Sequence, residues 1–328
     1  MKLIMFHADG MQMDIAKNWA KKNQVEITFI PELLSMYNID CVKGYDGLIN
    51  SQAAGTIDER IYPTLHAFGI KQIALVSAGY DLYNLDLASK NDLLITNVPS
   101  YSPESIAEYT VLTALNLVRK NQVIIKNVEN GDYRWSPSIC GGVLARKKVA
   151  VIGVGRIGKI VAKLFYGFGC QVIGYSPKQD DEIKGIITYT DTLEEAIQDA
   201  DIVTLHMPAS KENTHLFDID MFRQFKRGAI FLNMARGSIV DTKGLLQALD
   251  EGILYGVGID TYENEQVVVQ HTGVVEDAVF NNLIQRDNVM YSPHIAYFTD
   301  EAIRNMVEGA LNACVEVIKT GTSKYRVN

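Results

Sequence analysis

The run "KVAVIGVGRIGKIVAKLFYGFGC", Lys148 to Cys170, leaves this chain few ways to fold. A short β-rich stretch ends in GVGRIG, and an amphipathic stretch starts inside that motif. Gly153 permits a tight turn, Gly155 lets the backbone approach a pyrophosphate, and Gly158 lets helix and strand pack closely. Arg156 and Ile157 open the helix, whose free N–H groups and positive dipole end would face the phosphates. A glycine trio alone is weak evidence. Here a strand precedes it, a helix follows, and a second strand, "CQVIGY", arrives on schedule. Together they predict a dinucleotide-binding unit rather than a set of packing glycines.

The second strand should end near an acidic residue that holds a ribose. This chain has Ser176 there, with Lys178 just beyond. A serine can donate to a ribose hydroxyl or to a 2′-phosphate, whereas a carboxylate would repel the phosphate. Lys178 could add attraction. Asp180, Asp181 and Glu182 follow closely, and one of them could take the ribose. Both NAD(H) and NADP(H) are therefore open, with NADP(H) accepted or even preferred because of Ser176.

With 328 residues, the chain is long enough for a sizeable core and two domains. Its 47% hydrophobic and 21% charged residues fit neither a disordered chain nor a membrane protein. The net charge of −8 argues against a nucleic-acid partner. The opening "MKLIMFHADG" is too short in apolar residues for a secretory signal or a membrane span. Cys41, Cys140, Cys170 and Cys314 are scattered, so neither a disulfide framework nor a metal site is expected. They read as free thiols of a cytoplasmic protein.

β-rich runs alternate with amphipathic ones throughout, which predicts an α/β fold with parallel sheets. "KLIMF", "VEITFI", "DGLIN", "KQIALVS" and "LLITNV" form a first set of strands. "KVAVIG", "CQVIGY", "DIVTLHM", "AIFLNM", "YGVGID" and "NVMYSP" form a second. Between them, "SPESIAEYTVLTALNLVRK" predicts a helix, with Ser102 as N-cap and Pro103 at its first position. The long last segment, "TDEAIRNMVEGALNACVEVIKTG", suits a helix that returns to the first set. The expected division is therefore a discontinuous substrate-binding domain, 1–100 plus 299–328, and a dinucleotide-binding domain, 101–298.

Three polar residues lie at or just past strand ends of the second set. They are Arg236 in "FLNMARGSIVD", Glu265 in "GIDTYENE" and His294 in "MYSPHIAYF". Ligands of open α/β sheets bind outside the carboxyl ends of strands. Oxidising an alcohol beside a nicotinamide removes a hydride from carbon and a proton from oxygen. An imidazole, with an ordinary pKa of about 6.5, can take that proton. A carboxylate beside the imidazole fixes its tautomer and favours its charged form. A guanidinium matches a substrate carboxylate with two prongs. Glu263 sits in the same acidic turn as Glu265 and competes for its place.

"GVGRIG", "LHMP", "NMARGSIVDT", "GIDTYENE", "SPHIAY" and "NVPSYSPESIAEYTV" together resemble the D-2-hydroxyacid dehydrogenases. The likeness is nearest to the bacterial branch that interconverts pyruvate and D-lactate, and it extends over nearly the whole chain. It implies two doubly wound parallel-sheet domains, Rossmann-like or flavodoxin-like, with the active-site cleft between them. It also implies a homodimer, D stereochemistry, and the triad Arg236, Glu265 and His294. Asp260 matches the family's acidic residue near the nicotinamide. His206, Met207, Pro208 and Ala235 match strand-end positions that border the cofactor. "SAGYD" matches the loop that holds the substrate carboxylate through the N–H groups of Ala78 and Gly79. Tyr101 and Tyr297 match pocket positions. Close relatives often carry an arginine shortly before "AG", where this chain has Val76. NAD-dependent members usually have Asp at position 176, and a related NADPH-using branch has serine and basic residues there. Bulkier 2-keto acids and a non-catalytic NAD(H)-sensing protein are the alternative readings.

Overall fold

The computed structural model describes residues 1–52, 57–269 and 271–328. The chain forms two compact units, Met1–Ser102 with Phe298–Asn328, and Pro103–Tyr297.

The first unit is built on strands β1 (Lys2–Phe6), β2 (Glu26–Ile30), β3 (Gly47–Asn50), β4 (Gln72–Leu75) and β5 (Leu94–Thr96). They form one parallel sheet in the order β2-β1-β3-β4-β5. That is the flavodoxin-like doubly wound order. β3 and β4 are buried along their whole length, as strands covered on both faces must be. The helix Asp300–Thr320 packs on them. Thr299 caps its start by accepting from the Ala302 N–H, and Gly321, at φ 80°, closes it in the left-handed region. Its buried side chains, Ile303, Met306, Val307, Ala310, Leu311, Cys314 and Val317, recur every three or four residues. The packing is so close that a Cβ on Gly47 would stand 2.4 Å from the Cys314 sulfur.

The second unit carries β6 (Lys148–Ile152), β7 (Gln171–Tyr175), β8 (Ile187–Tyr189), β9 (Ile202–Leu205), β10 (Ala229–Asn233), β11 (Leu254–Ile259) and β12 (Val289–Tyr291). All pair in parallel, in the order β12-β11-β10-β9-β6-β7-β8. The order reverses between β6 and β9, which makes the carboxyl ends of those strands the place for a ligand. One hydrophobic cluster holds four mutually touching rings, Phe217, Phe222, Phe225 and Phe231. The other joins Val149, Val151, Val161 and Phe165 to Ala107, Val111 and Leu117 of the helix Pro103–Val118.

The α/β class holds, with differences at the margins. β8 is an edge strand that the sequence runs above omit. Asn121–Glu129 forms a further unassigned helix, which buries no residue. The segment "DIDMFRQF", which has a helical pattern in the sequence, forms only a single helical turn, Ile219–Phe222. Among the described residues, no helix is long and apolar enough to cross a membrane. No group of three His, Cys, Asp or Glu among them could hold a metal ion.

Candidate active site

β10, β11 and β12 lie side by side, with Asn233 opposite Ile259 and Ile259 opposite Tyr291. Arg236, Glu265 and His294 follow these three carboxyl ends in turn. The buried Asn233 shapes the first turn: its Oδ1 accepts from the Ala235 N–H at 3.0 Å, and its Nδ2 donates to the Arg236 carbonyl at 3.0 Å. Gly237 must be glycine, because a Cβ there would stand 2.1 Å from the Tyr262 carbonyl oxygen. The turn after Arg236 thus lies backbone to backbone on the turn that leads to Glu265. The half-buried Arg236 guanidinium donates to the Ala235 carbonyl at 2.8 Å. No carboxylate among the described residues pairs with it. An uncompensated charge of this kind is costly to keep and invites an anion.

His294 sits in the left-handed region, at φ 56°. A non-glycine residue there carries strain of order 1–3 kcal/mol, and the surroundings must hold it. Asp260 does so. It is only 3% exposed. Its carbonyl accepts the His294 N–H at 2.8 Å. Its Oδ1 accepts from Ser292 Oγ at 2.6 Å and the Ile295 N–H at 2.9 Å, and its Oδ2 from the Ala296 N–H at 3.0 Å. The carboxylate that the sequence expectation places near the nicotinamide also fastens the segment that carries His294. Glu265 Oε2 lies 3.1 Å from His294 Nδ1. With a carboxylate at Nδ1, the imidazole keeps a proton there and exposes Nε2 for chemistry. Tyr297 meets the ring edge-on, with centroids 6.3 Å apart. Burial, helped by the nearby charges of Glu265 and Asp260, pushes the Tyr291 phenol up to about 12. Glu263, the competitor, points elsewhere: its Oε1 lies 2.7 Å from His215 Nε2, and its Oε2 accepts from the Thr242 N–H at 3.0 Å.

The glycine loop is tight where it meets protein and open where a ligand would approach. Gly153 has φ 93°, and a Cβ on it would stand 2.7 Å from the backbone of His206 and Met207. A Cβ on Gly158 would meet the Gly153 carbonyl at 2.1 Å, whereas one on Gly155 would meet nothing within 4 Å. The helix Arg156–Gly167 starts without a side-chain cap and without an acidic residue in its first turn. Its leading N–H groups are left to an anion. Ile157 is half-buried and packs on the core, and Arg156 is exposed. His206 Nε2 lies 2.9 Å from Thr204 Oγ1, while its buried Nδ1 has no partner. Burial pushes this imidazole down to about 3, so it is neutral near pH 7. The Pro208 carbonyl accepts from Asn213, Met207 is half-buried on the core, and Ala235 is buried. Ser176 is half-buried and Lys178 exposed. Asp180 is ion-paired with Lys159 and accepts from the Glu182 N–H at 2.9 Å. Asp181 is paired with Lys184 at 2.6 Å. These residues fit a dinucleotide: an open glycine, uncapped helix amides and an orphaned ring nitrogen border one strand-end crevice.

In the first unit, Ser77 Oγ donates to the Gly79 carbonyl at 2.7 Å, and Asn97 Nδ2 donates to the Ala78 carbonyl at 2.7 Å. Val98 donates its N–H to the Ser77 carbonyl at 2.8 Å. The loop's carbonyls are thus turned toward protein. The N–H groups of Ala78 and Gly79 donate to no acceptor among the described residues. Val76 is buried. The Tyr101 carbonyl accepts from Asn305 at 2.6 Å. Ser77, Asn97, Asn233 and Ser292 escaped the sequence reading; their one signal was a polar residue within or just after an apolar strand run.

A strand-end histidine–carboxylate pair, an anion-seeking guanidinium and a dinucleotide cradle in one unit define a hydride-transfer oxidoreductase. The chain belongs to the D-isomer specific 2-hydroxyacid dehydrogenases, whose NAD binding domain it matches over residues 111–296. It is 51% identical over 331 residues, covering 100% of both chains, to a D-lactate dehydrogenase of Streptococcus agalactiae serotype III (strain NEM316). Its fold is similar to the crystal structure of a Treponema pallidum D-lactate dehydrogenase, at TM-score 0.93 and 33% identity over 100% of both chains. It is also similar to the NAD-complexed D-isomer specific 2-hydroxyacid dehydrogenase of Lactobacillus delbrueckii ssp. bulgaricus, at TM-score 0.90 and 32% identity over 100% of both chains.

Proposed function

We propose that this chain is a D-lactate dehydrogenase that reduces pyruvate to D-lactate, reversibly, with His294 as acid–base. The observation that carries this reading is the 3.1 Å contact of Glu265 with His294 Nδ1, on strand ends beside that of Arg236, which has no carboxylate partner among the described residues. The Arg236 fork binds the substrate α-carboxylate. In the first unit, the Ala78 and Gly79 N–H groups are proposed as donors to a carboxylate. A bound nicotinamide supplies the hydride, or accepts it in the reverse direction. His294 Nε2 gives its proton to the keto oxygen, and Glu265 steadies the imidazolium and fixes its tautomer. The neutral His206 adds no charge beside the cofactor. Purified protein should oxidise NADH with pyruvate and yield D-lactate; L-lactate, or no turnover, overturns the reading. Faster turnover of phenylpyruvate or 2-ketoisocaproate than of pyruvate would assign the site to bulkier acids. NADH binding without turnover of any keto acid would indicate a sensor.

NADH is the expected cofactor, and NADPH is accepted as well. Ser176 would offer a hydroxyl to the 2′ position, Lys178 is exposed, and Lys159 already neutralises Asp180. Ser176→Asp should therefore lower kcat/KM for NADPH by roughly tenfold or more, through like-charge repulsion, with the NADH value little changed. An unchanged NADPH/NADH ratio means that this loop does not set the choice.

The protein is further proposed to be a homodimer. The helix Asn121–Glu129 buries nothing, and Ile125, Val128, Tyr133, Val143 and the 98% exposed Trp135 share that stretch of chain. Apolar exposure on this scale marks a protein contact. Light scattering should give twice the 36.5 kDa of one chain, and a single-chain mass overturns the assignment.

A further inference from the structure

Glu263 and His215 take no part in the chemistry above, yet they join the turn that leads to Glu265 to the turn that follows Arg236. Glu263 lies two residues before Glu265, in a turn closed by the Glu265 N–H donating to the Tyr262 carbonyl at 3.2 Å. One of its oxygens accepts from the Thr242 N–H, at the first residue of the helix Thr242–Asp250. The other meets His215 at 2.7 Å. The His215 N–H in turn donates to the Ser238 carbonyl at 2.9 Å, inside the turn that follows Arg236. Gly237 of that turn has room for no Cβ, since one would stand 2.5 Å from the Glu263 nitrogen. His215 is also held in the left-handed region, at φ 54°.

We propose that Glu263, bridged to His215, is a positioning residue for the reaction: it locks the turn that carries Glu265 onto the turn that carries Arg236. The inference rests on the roles proposed above for those two residues. Partly exposed ion pairs contribute little to stability, with side chains here 46% and 31% exposed. Their two-sided grip can still matter for rate, because a misplacement of about 1 Å near the reacting groups can cost on the order of a hundredfold. Asp260 and Tyr291 also face the turn of His294, and neither is altered by changes at Glu263.

The test uses the full chain and compares Glu263→Ala, Glu263→Gln and His215→Gln with the unaltered protein. Readouts are kcat and KM for pyruvate, NADH binding by fluorescence, and the pH profile of pyruvate reduction. Glu263→Ala should lower kcat by roughly tenfold or more with NADH binding within about twofold. The pH above which reduction falls off should also move down, because the Glu265 carboxylate no longer holds its place at Nδ1. Glu263→Gln keeps an acceptor for the Thr242 N–H and should restore most of the rate and the profile. An unmoved profile in Glu263→Ala, or Gln no better than Ala, overturns the proposal. If Glu263→Ala fails to bind NADH, the milder His215→Gln decides: it should shift the profile in the same direction, and an unmoved one overturns the proposal. A normal turnover in His294→Gln would instead overturn the proton-transfer reading itself.

Discussion

Replacing His294 with glutamine lowers kcat for pyruvate by about 10²–10⁴, the usual worth of a positioned acid–base, and leaves NADH affinity within about twofold. Glutamine can still donate to Glu265, but it has no proton to give a keto oxygen near neutral pH. The segment itself should stay in place. Asp260 holds it through the backbone of residues 294, 295 and 296 and through Ser292, none of which depends on the imidazole. Single-turnover mixing of the variant with NADH and pyruvate checks this, alongside a fluorescence titration with NADH alone. The rate of hydride loss should fall with the steady-state rate, while the titration stays superimposable. Normal hydride transfer in the variant assigns the proton donor to another group. Loss of NADH binding assigns His294 to the architecture instead.

Much of the fold is legible in the sequence because parallel strands buried on both faces are nearly continuous apolar runs. "LIMF", "VAVI" and "IFLN" could scarcely be anything else. β8 was not legible, since three residues at a sheet edge, with Thr188 exposed and Tyr189 half-buried, carry almost no pattern. The helix Asn121–Glu129 has an apolar stripe but no core in its own unit to receive it, so periodicity alone gave it no place. The glycine loop is legible because its demands are local and steric. The choice between Glu263 and Glu265 is not, because both stand in one turn. What separates them is a histidine 48 residues earlier and a helix start 21 residues earlier. The same holds for Asp180, whose carboxylate is claimed by Lys159 on the glycine-loop helix. That Asp260 also fastens the His294 segment is not legible either, because its partners stand 32 to 36 positions later.

Replacing Arg236 with glutamine lowers kcat/KM for pyruvate by about 10²–10⁴, most of it through KM. Two charge-assisted hydrogen bonds to a carboxylate, at about 1.5–3 kcal/mol each, set that range. The neutral side chain should leave the fold no less stable. In the protein without substrate, the guanidinium is half-buried, has no carboxylate partner among the described residues, and bonds to a single backbone carbonyl. Its removal relieves a desolvated charge rather than breaking a pair. A Tm equal to or above that of the unaltered protein is therefore expected beside a large kinetic defect, the reverse of what a structural arginine would give. Arg236→Lys keeps the charge without the fork and should recover only part of the loss. The decisive comparison is a carbonyl substrate without a carboxylate, such as acetaldehyde. Turnover of such a substrate should be slow in the unaltered protein, and Arg236→Gln should scarcely change it, because there is no anion to bind. An equal loss with acetaldehyde and pyruvate would mean that Arg236 acts on the reacting carbonyl or on the cofactor, and the carboxylate assignment would fall.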